Sequence, residues 1–141
     1  MNTGEIILDA QTERLEDAIS FIRAELTAAS CPDDIVMQIE LAMEEIFMNV
    51  ASYAYDDKDK KGKIKICVNM TEKGGQTTMM IAVCDTGKPF NLLEHKDPDT
   101  TIPLEEREIG GLGILLVKKV MNSVTYTYKD GYNHVMMSKT W

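Results

Sequence analysis

The sequence predicts an α+β fold, a two-layer sandwich in which helices cover one face of a mixed, mostly antiparallel sheet. Two pairs of apolar, strand-like segments are each joined by a short turn, Gly74-Gly75 in the first pair and Asp130-Gly131 in the second. Two amphipathic helical patterns precede the first pair, and a third lies between the pairs. One sheet with helices packed on one side accommodates all of these segments, because each helix must bury its apolar stripe.

The first part of the chain predicts one strand and two helices. Residues 5–8 form a short apolar run, which is typical of an edge strand. Leucine and isoleucine then recur at helical spacing, and Thr12 is the predicted cap of this first helix. A second helix is predicted over residues 33–54, because six apolar residues form one stripe along it. These residues are Ile35, Ile39, Met43, Ile46, Phe47 and Val50.

Four further strands form the two predicted hairpins. Strands over residues 63–70 and 77–84 flank the first glycine turn. Strands over residues 123–128 and 132–139 flank the second, where the Asp-Gly pair is a strong hairpin signal.

The segment between the hairpins combines a loop, a long polar stretch and a helix. A turn-rich loop is predicted at residues 85–91. Residues 92–109 are polar, contain two prolines and show weak periodicity. A loop of that length in a small domain is usually functional or mobile. The glycines at residues 110–113 then lead into an apolar helix.

Composition and charge restrict the function. The 141 residues fit a single domain spanning 1–141. The formal net charge is −8, and a surface that acidic repels phosphate backbones, so direct nucleic-acid binding is not expected. No basic segment followed by an apolar run begins the chain, and no apolar stretch approaches the roughly 20 residues that span a membrane. We therefore expect a cytoplasmic protein that does not bind membranes.

The first candidate site motif lies on the second predicted helix. Glu45 and Asn49 are four residues apart, so their side chains lie on the same helix face. A carboxylate and an amide oxygen placed in this way can share a hydrated Mg²⁺, which prefers oxygen ligands. The carboxylate could instead accept a proton from an attacking hydroxyl group or water molecule. A solvated helix face with no further role is the simpler alternative.

The second and third motifs are rich in glycine. Asp85 ends an apolar strand, and Gly87 permits a tight turn and the close approach of a ligand to the backbone, although an ordinary turn has the same composition. The third motif precedes the apolar helix, where free backbone N–H groups suit phosphate oxygens, although a flexible hinge would also use glycine. Its residues are Gly110, Gly111, Leu112 and Gly113. It matches neither the Walker loop nor the dinucleotide fingerprint.

Taken in order, the three motifs resemble those of the histidine kinase-like ATP-binding fold, also called the Bergerat fold. Sensor histidine kinases, type II topoisomerases and the heat-shock-90 chaperone share this fold. The pattern Asp-x-Gly-x-Pro-Phe at residues 85–90 is most similar to that of the anti-sigma-factor serine/threonine kinases of bacteria. The resemblance covers nearly the whole chain and implies a free-standing ATP-binding domain.

The resemblance also implies a role for each motif residue. Asn49 is expected to bind Mg²⁺ and Glu45 to act as the general base. Asp85 is expected to accept a hydrogen bond from the exocyclic amine of adenine, and Gly87 to let the backbone approach the base. Many relatives have histidine four residues after the asparagine, where this chain has Tyr53.

The third motif is expected to bind the phosphates of ATP, and residues 92–109 are expected to form a lid over the nucleotide. The phosphate-binding residues are then Gly110, Gly111, Leu112 and Gly113.

The function implied by the resemblance is that of an ATP-dependent serine/threonine protein kinase. Such a kinase phosphorylates an anti-anti-sigma (antagonist) protein and sequesters a sigma factor, with ATP and Mg²⁺ as cofactors. Two alternatives stay open at this point: a non-catalytic, ATP-dependent protein-binding switch, and a simple ATPase of the same fold. A homodimer is an expectation by analogy alone.

Overall fold

The computed structural model describes residues 2–55, 62–94 and 111–141. The elements of these residues confirm each predicted helix and strand, and β1 and β2 are longer than predicted. In chain order they are β1 (Asn2–Asp9), a 3₁₀ turn (Thr12–Arg14), α1 (Leu15–Ala28), α2 (Asp33–Tyr53), β2 (Lys63–Lys73), β3 (Gln76–Asp85), a second 3₁₀ turn (Leu92–Glu94), α3 (Gly111–Val120), β4 (Ser123–Lys129) and β5 (Tyr132–Thr140). Gly110 and positions 95–109 of the expected lid lie outside the described residues.

The five strands form one sheet in the order β1-β2-β3-β5-β4. All four pairings between these described strands are antiparallel, so the sheet is not mixed as predicted. The reason is that β5 lies between β3 and β4. These two strands run in the same direction, but β5 separates them, so they form no ladder with each other.

The core lies between one face of this sheet and the helices. Alternate residues of β2, β3 and β5 are buried, as the period of a strand requires. The row of β3 ends in Asp85, and the row of β5 begins with Asn133, so two buried polar residues lie at one end of an otherwise apolar layer. The register pairs these two residues directly. No described helix has the length and apolar character that crossing a membrane requires.

The predicted capping role of Thr12 is wrong. Thr12 begins the first 3₁₀ turn, and α1 begins only at Leu15, after Arg14 in the N-cap position. No side chain caps either segment. The chain enters the helix through the backbone bond from the Arg14 N–H to the carbonyl of Gln11, so the helix start is displaced from the threonine.

Candidate functional site

On α2, Glu45 and Asn49 form a hydrogen-bonded pair. Asn49 is only 5% exposed, and its Nδ2 donates to the Glu45 backbone oxygen at 2.7 Å and to Glu45 Oε1 at 3.0 Å. These two acceptors fix the orientation of the amide, because its oxygen must then point the other way. Asn49 Oδ1 is buried and has no hydrogen-bond partner among the described residues. A buried oxygen without a partner costs about 1–3 kcal/mol, so it is suited to bind a donor or a cation.

The oxygen atoms at Asn49 and Glu45 fit a Mg²⁺ ion that takes most of its ligands from water and from the phosphate groups of a nucleotide. Amide and carboxylate oxygens are the ligands that this hard cation prefers. The described residues contain no group of three or more acidic, histidine or cysteine side chains that could bind a metal by themselves. Mg²⁺ in phosphoryl-transfer sites typically takes one or two protein ligands and completes its shell with water and phosphate oxygens. Asn49, with Glu45 beside it, fits a site of that kind, and the binding of Mg²⁺ there stays a prediction.

Asp85, the second predicted site residue, is buried at the end of β3 with 4% of its surface exposed. Its Oδ1 accepts hydrogen bonds from the Gly87 N–H and from Asn133 Nδ2, both at 2.9 Å. Burial raises the pKa of Asp85, and the hydrogen bonds from Asn133 and Gly87 oppose this rise. All of the hydrogen bonds that described residues donate to Asp85 fall on Oδ1, so Oδ2 remains able to accept from a ligand.

Asn133, which the sequence reasoning did not identify, connects Asp85 to the second hairpin. It is 3% exposed, and its Nδ2 donates to the Lys88 oxygen at 2.9 Å as well as to Asp85. Its Oδ1 accepts from the Tyr126 hydroxyl and from the Phe90 N–H. An isolated asparagine in a strand matches no motif. The available signal was its position, since it falls in the inward-facing row of an otherwise apolar strand.

The C-terminal end of α2 is joined to the loop that follows Asp85. The Lys88 N–H donates to the Ala54 oxygen at 3.1 Å. A Cβ atom on Gly87 would lie 2.1 Å from that same oxygen, so only glycine fits there. The rings of Tyr53 and Phe90 lie 5.9 Å apart. The structure therefore explains the glycine by its contact with α2, and the approach of Gly87 to a base stays a prediction.

The first turn of α3 packs against the carboxylate of Glu45. A Cβ atom on Gly113 would lie 1.9 Å from Glu45 Cδ, closer than any two such atoms can approach. Gly111 begins the helix, while the side chain of Leu112 and all of Gly110 lie outside the described residues. The structure thus brings Gly113 of α3 to Glu45 of α2, and the C-terminal end of α2 meets the Asp85 loop at Ala54. The predicted binding of phosphate at these glycines stays a prediction.

Comparison with known proteins identifies the family of this chain. The sequence pattern of the histidine kinase-like ATPase domain matches residues 8–139. The chain belongs to the histidine kinase-like ATPase family. This match confirms the family expected from the three motifs, and it spans every element from the end of β1 to β5.

Several kinases are similar to this ATPase domain. The serine-protein kinase RsbW of Staphylococcus aureus is 26% identical over 149 aligned positions, which cover 99% of this chain and 89% of that protein. The serine/threonine-protein kinase BtrW of Bordetella bronchiseptica is 20% identical over 100 positions, which cover 71% of this chain and 67% of that protein.

A solved structure shares the fold. The crystal structure of the RsbU and RsbW domains of a Mycobacterium tuberculosis protein superposes with a TM-score of 0.69 at 14% identity. The match covers 99% of this chain and 32% of that longer one, so this chain spans about a third of its length. At that identity the likeness shows the fold alone, and it confirms the predicted α+β sandwich with helices on one face.

Proposed function

We propose that this chain is a cytoplasmic, ATP-dependent serine/threonine protein kinase of the anti-sigma-factor type. It phosphorylates an antagonist protein and sequesters a sigma factor. The observation that carries the catalytic part is the buried, unpartnered Oδ1 of Asn49, one helical turn from the carboxylate of Glu45. The resemblance and the similar kinases support the choice of a protein substrate and of these partners.

At the phosphate end of the nucleotide, Asn49 and Glu45 of α2 have separate roles. Asn49 Oδ1 would bind Mg²⁺, which supplies neutralising charge to the phosphate oxygens. Glu45 accepts the proton of the substrate hydroxyl while that oxygen forms a bond to the γ-phosphorus and the bond to the leaving ADP breaks. The hydrogen bond from Asn49 Nδ2 holds the Glu45 carboxylate in place for this step. The amides at the start of α3, including Gly111 and Gly113, would face the phosphates, as helix N-termini do in other anion sites.

At the base end, Asp85 reads the nucleotide. Its Oδ1 is occupied by the protein, and Oδ2 accepts from the exocyclic amine of adenine. Gly87 keeps the loop against α2, so the backbone beside the base stays in a fixed position.

Calorimetric titration with Mg-ATP tests the binding half of this proposal. We expect binding by the wild type and a large loss of affinity in Asn49→Ala. The exposed Asn69 of β2 provides the matched control, because Asn69→Ala removes an asparagine that is not buried and should leave affinity unchanged. Absence of binding by the wild type at millimolar Mg-ATP would contradict the proposal.

Transfer of label from γ-labelled ATP to a candidate antagonist protein tests the catalytic half. Phosphorylation of a serine or threonine is the expected result. ATP-dependent binding of a sigma factor without transfer would instead support the non-catalytic switch. Release of phosphate with no protein acceptor would support a simple ATPase.

A further inference from the structure

The side-chain amide of Asn133 can form all of its hydrogen bonds in only one of its two orientations. Its Nδ2 faces the oxygens of Asp85 and Lys88 at 2.9 Å and of Gly87 at 3.4 Å. Its Oδ1 faces two donors, the Tyr126 hydroxyl and the Phe90 N–H. Exchanging the nitrogen and oxygen would place donors against donors and acceptors against acceptors, so the amide is held in this orientation from both ends.

Tyr126 is fixed in turn by the loop after Asp85. The Phe90 N–H also donates to the Tyr126 hydroxyl oxygen at 3.2 Å. The hydroxyl hydrogen is therefore directed toward Asn133 Oδ1. A continuous series of donors runs from Phe90 through Tyr126 and Asn133 to the carboxylate of Asp85.

This series determines what Asp85 can offer a ligand. Because Oδ1 receives the N–H groups of both Gly87 and Asn133, a proton on Oδ1 would face two donors and is excluded. The carboxylate cannot rotate without breaking both bonds. Oδ2 is thus presented to the ligand as an acceptor in a fixed direction.

We propose that Asn133, oriented by Tyr126, is a positioning residue that makes the site select purine bases carrying an amine at the 6-position. The inference rests on the proposed role of Asp85 as the reader of adenine. Adenine places its N6 amine, a donor, opposite such an acceptor, whereas guanine has the O6 acceptor at that position. Without Asn133 the carboxyl group can rotate or take up a proton, and selection by the amine is lost.

The test compares affinities for Mg-ATP and for the Mg complex of purine riboside 5′-triphosphate, which lacks only the amine. We expect the wild type to prefer ATP by about tenfold or more, the value of one hydrogen bond to a charged group. Asn133→Leu, similar in shape to asparagine, should bring the ratio of the two affinities close to one while affinity for the analogue is retained. Tyr126→Phe removes only the hydroxyl group and should lower the ratio by a smaller factor.

Asn69→Leu provides the control, since it makes the same substitution at an exposed position of β2 that pairs with Met80, far along the ladder from the Ile64–Asp85 pair, and it should leave the ratio unchanged. A ratio that stays at the wild-type value in both Asn133→Leu and Tyr126→Phe would overturn the inference. A parallel loss of both affinities would also overturn it, because that result indicates general disruption of the site. A wild type that binds ATP and the analogue equally removes the role of Asp85 and the inference with it. A wild type that binds neither nucleotide contradicts the proposed function itself.

Discussion

At the scale of single residues, two buried side-chain amides each donate a hydrogen bond that holds a carboxylate in position. Asn49 donates to Glu45, and Asn133 donates to Asp85. In both pairs the amide oxygen lies on the side away from the carboxylate. Asn49 Oδ1 has no hydrogen-bond partner in the described parts of the chain, whereas Asn133 Oδ1 accepts two hydrogen bonds from the protein. This difference separates a residue suited to bind a ligand from one suited to position another residue.

Glu45→Gln separates catalysis from binding. Glutamine is as good a helix former as glutamate, and its carbonyl oxygen can still accept from Asn49, so the fold and Mg-ATP affinity should be retained. Phosphoryl transfer should fall about 10²–10⁴-fold, because an amide cannot accept the proton of the substrate hydroxyl. Single-turnover phosphorylation of the antagonist protein measures this loss. Wild-type transfer by the variant would show that Glu45 is not the base.

Asp85→Asn tests the reading of adenine. The Gly87 and Asn133 N–H groups should hold the new side-chain oxygen at the place of Oδ1. The new NH₂ group then lies at the place of Oδ2, where it faces the amine of adenine as a second donor. An unmatched buried donor costs roughly 1–3 kcal/mol, so ATP affinity should fall by about tenfold or more while the melting temperature changes little. Unchanged affinity in a titration would place the base elsewhere.

Local sequence pattern predicted some of the candidate site residues and could not predict others. Glu45, Asn49 and Asp85 lie in short motifs, and such local patterns can be recognised without knowing how the rest of the chain folds. Asn133 has no motif, and its importance comes from a register that joins it to a residue 48 positions earlier. A contact of that kind is created by the pairing of β3 with β5, which no short stretch of sequence encodes.

At the scale of elements, α2 is the center of the candidate site. This helix carries Glu45 and Asn49. It contacts Gly113 of α3 through the Glu45 carboxylate, and it meets the Asp85 loop at Ala54. Periodicity predicted this helix to within one residue of its observed end, because a long apolar stripe is a strong signal. The start of α1 was predicted less well, since a backbone-bonded 3₁₀ turn takes the place of a side-chain cap.

The contact between α3 and α2 can be measured with Gly113→Ala. Alanine favours a helix over glycine by about 1 kcal/mol, but its Cβ would overlap the Glu45 carboxylate, which must swing aside and lose its hydrogen bond from Asn49, so we expect no net gain in stability. In a Glu45→Ala background the overlap is absent and the same change should be neutral or stabilising. Urea unfolding of the four proteins gives the coupling, expected at about 0.5–3 kcal/mol. Additive effects would mean that the two residues do not touch.

At the scale of the whole molecule, stability depends on the layer between the sheet and the helices. Phe47 of α2 is fully buried in this layer, whereas Met37 of the same helix is 71% exposed. Phe47→Ala should cost about 3–5 kcal/mol of the free energy of unfolding through lost burial and a residual cavity. Met37→Ala, the matched control, should change it by less than about 0.5 kcal/mol. Comparable losses in chemical denaturation would show that α2 packs by a different face.

The junction of α2 with the Asp85 loop has a consequence for regulation. The bond from Lys88 to Ala54 and the close contact of Gly87 tie the helix that would hold Mg²⁺ to the loop that would hold the base. A protein that tilts α2 must therefore loosen both ends of the nucleotide at once. By thermodynamic reciprocity, bound nucleotide resists that tilt with the same free energy. Under the proposed function, ATP and a protein partner that tilts α2 would therefore shift one and the same equilibrium in opposite directions.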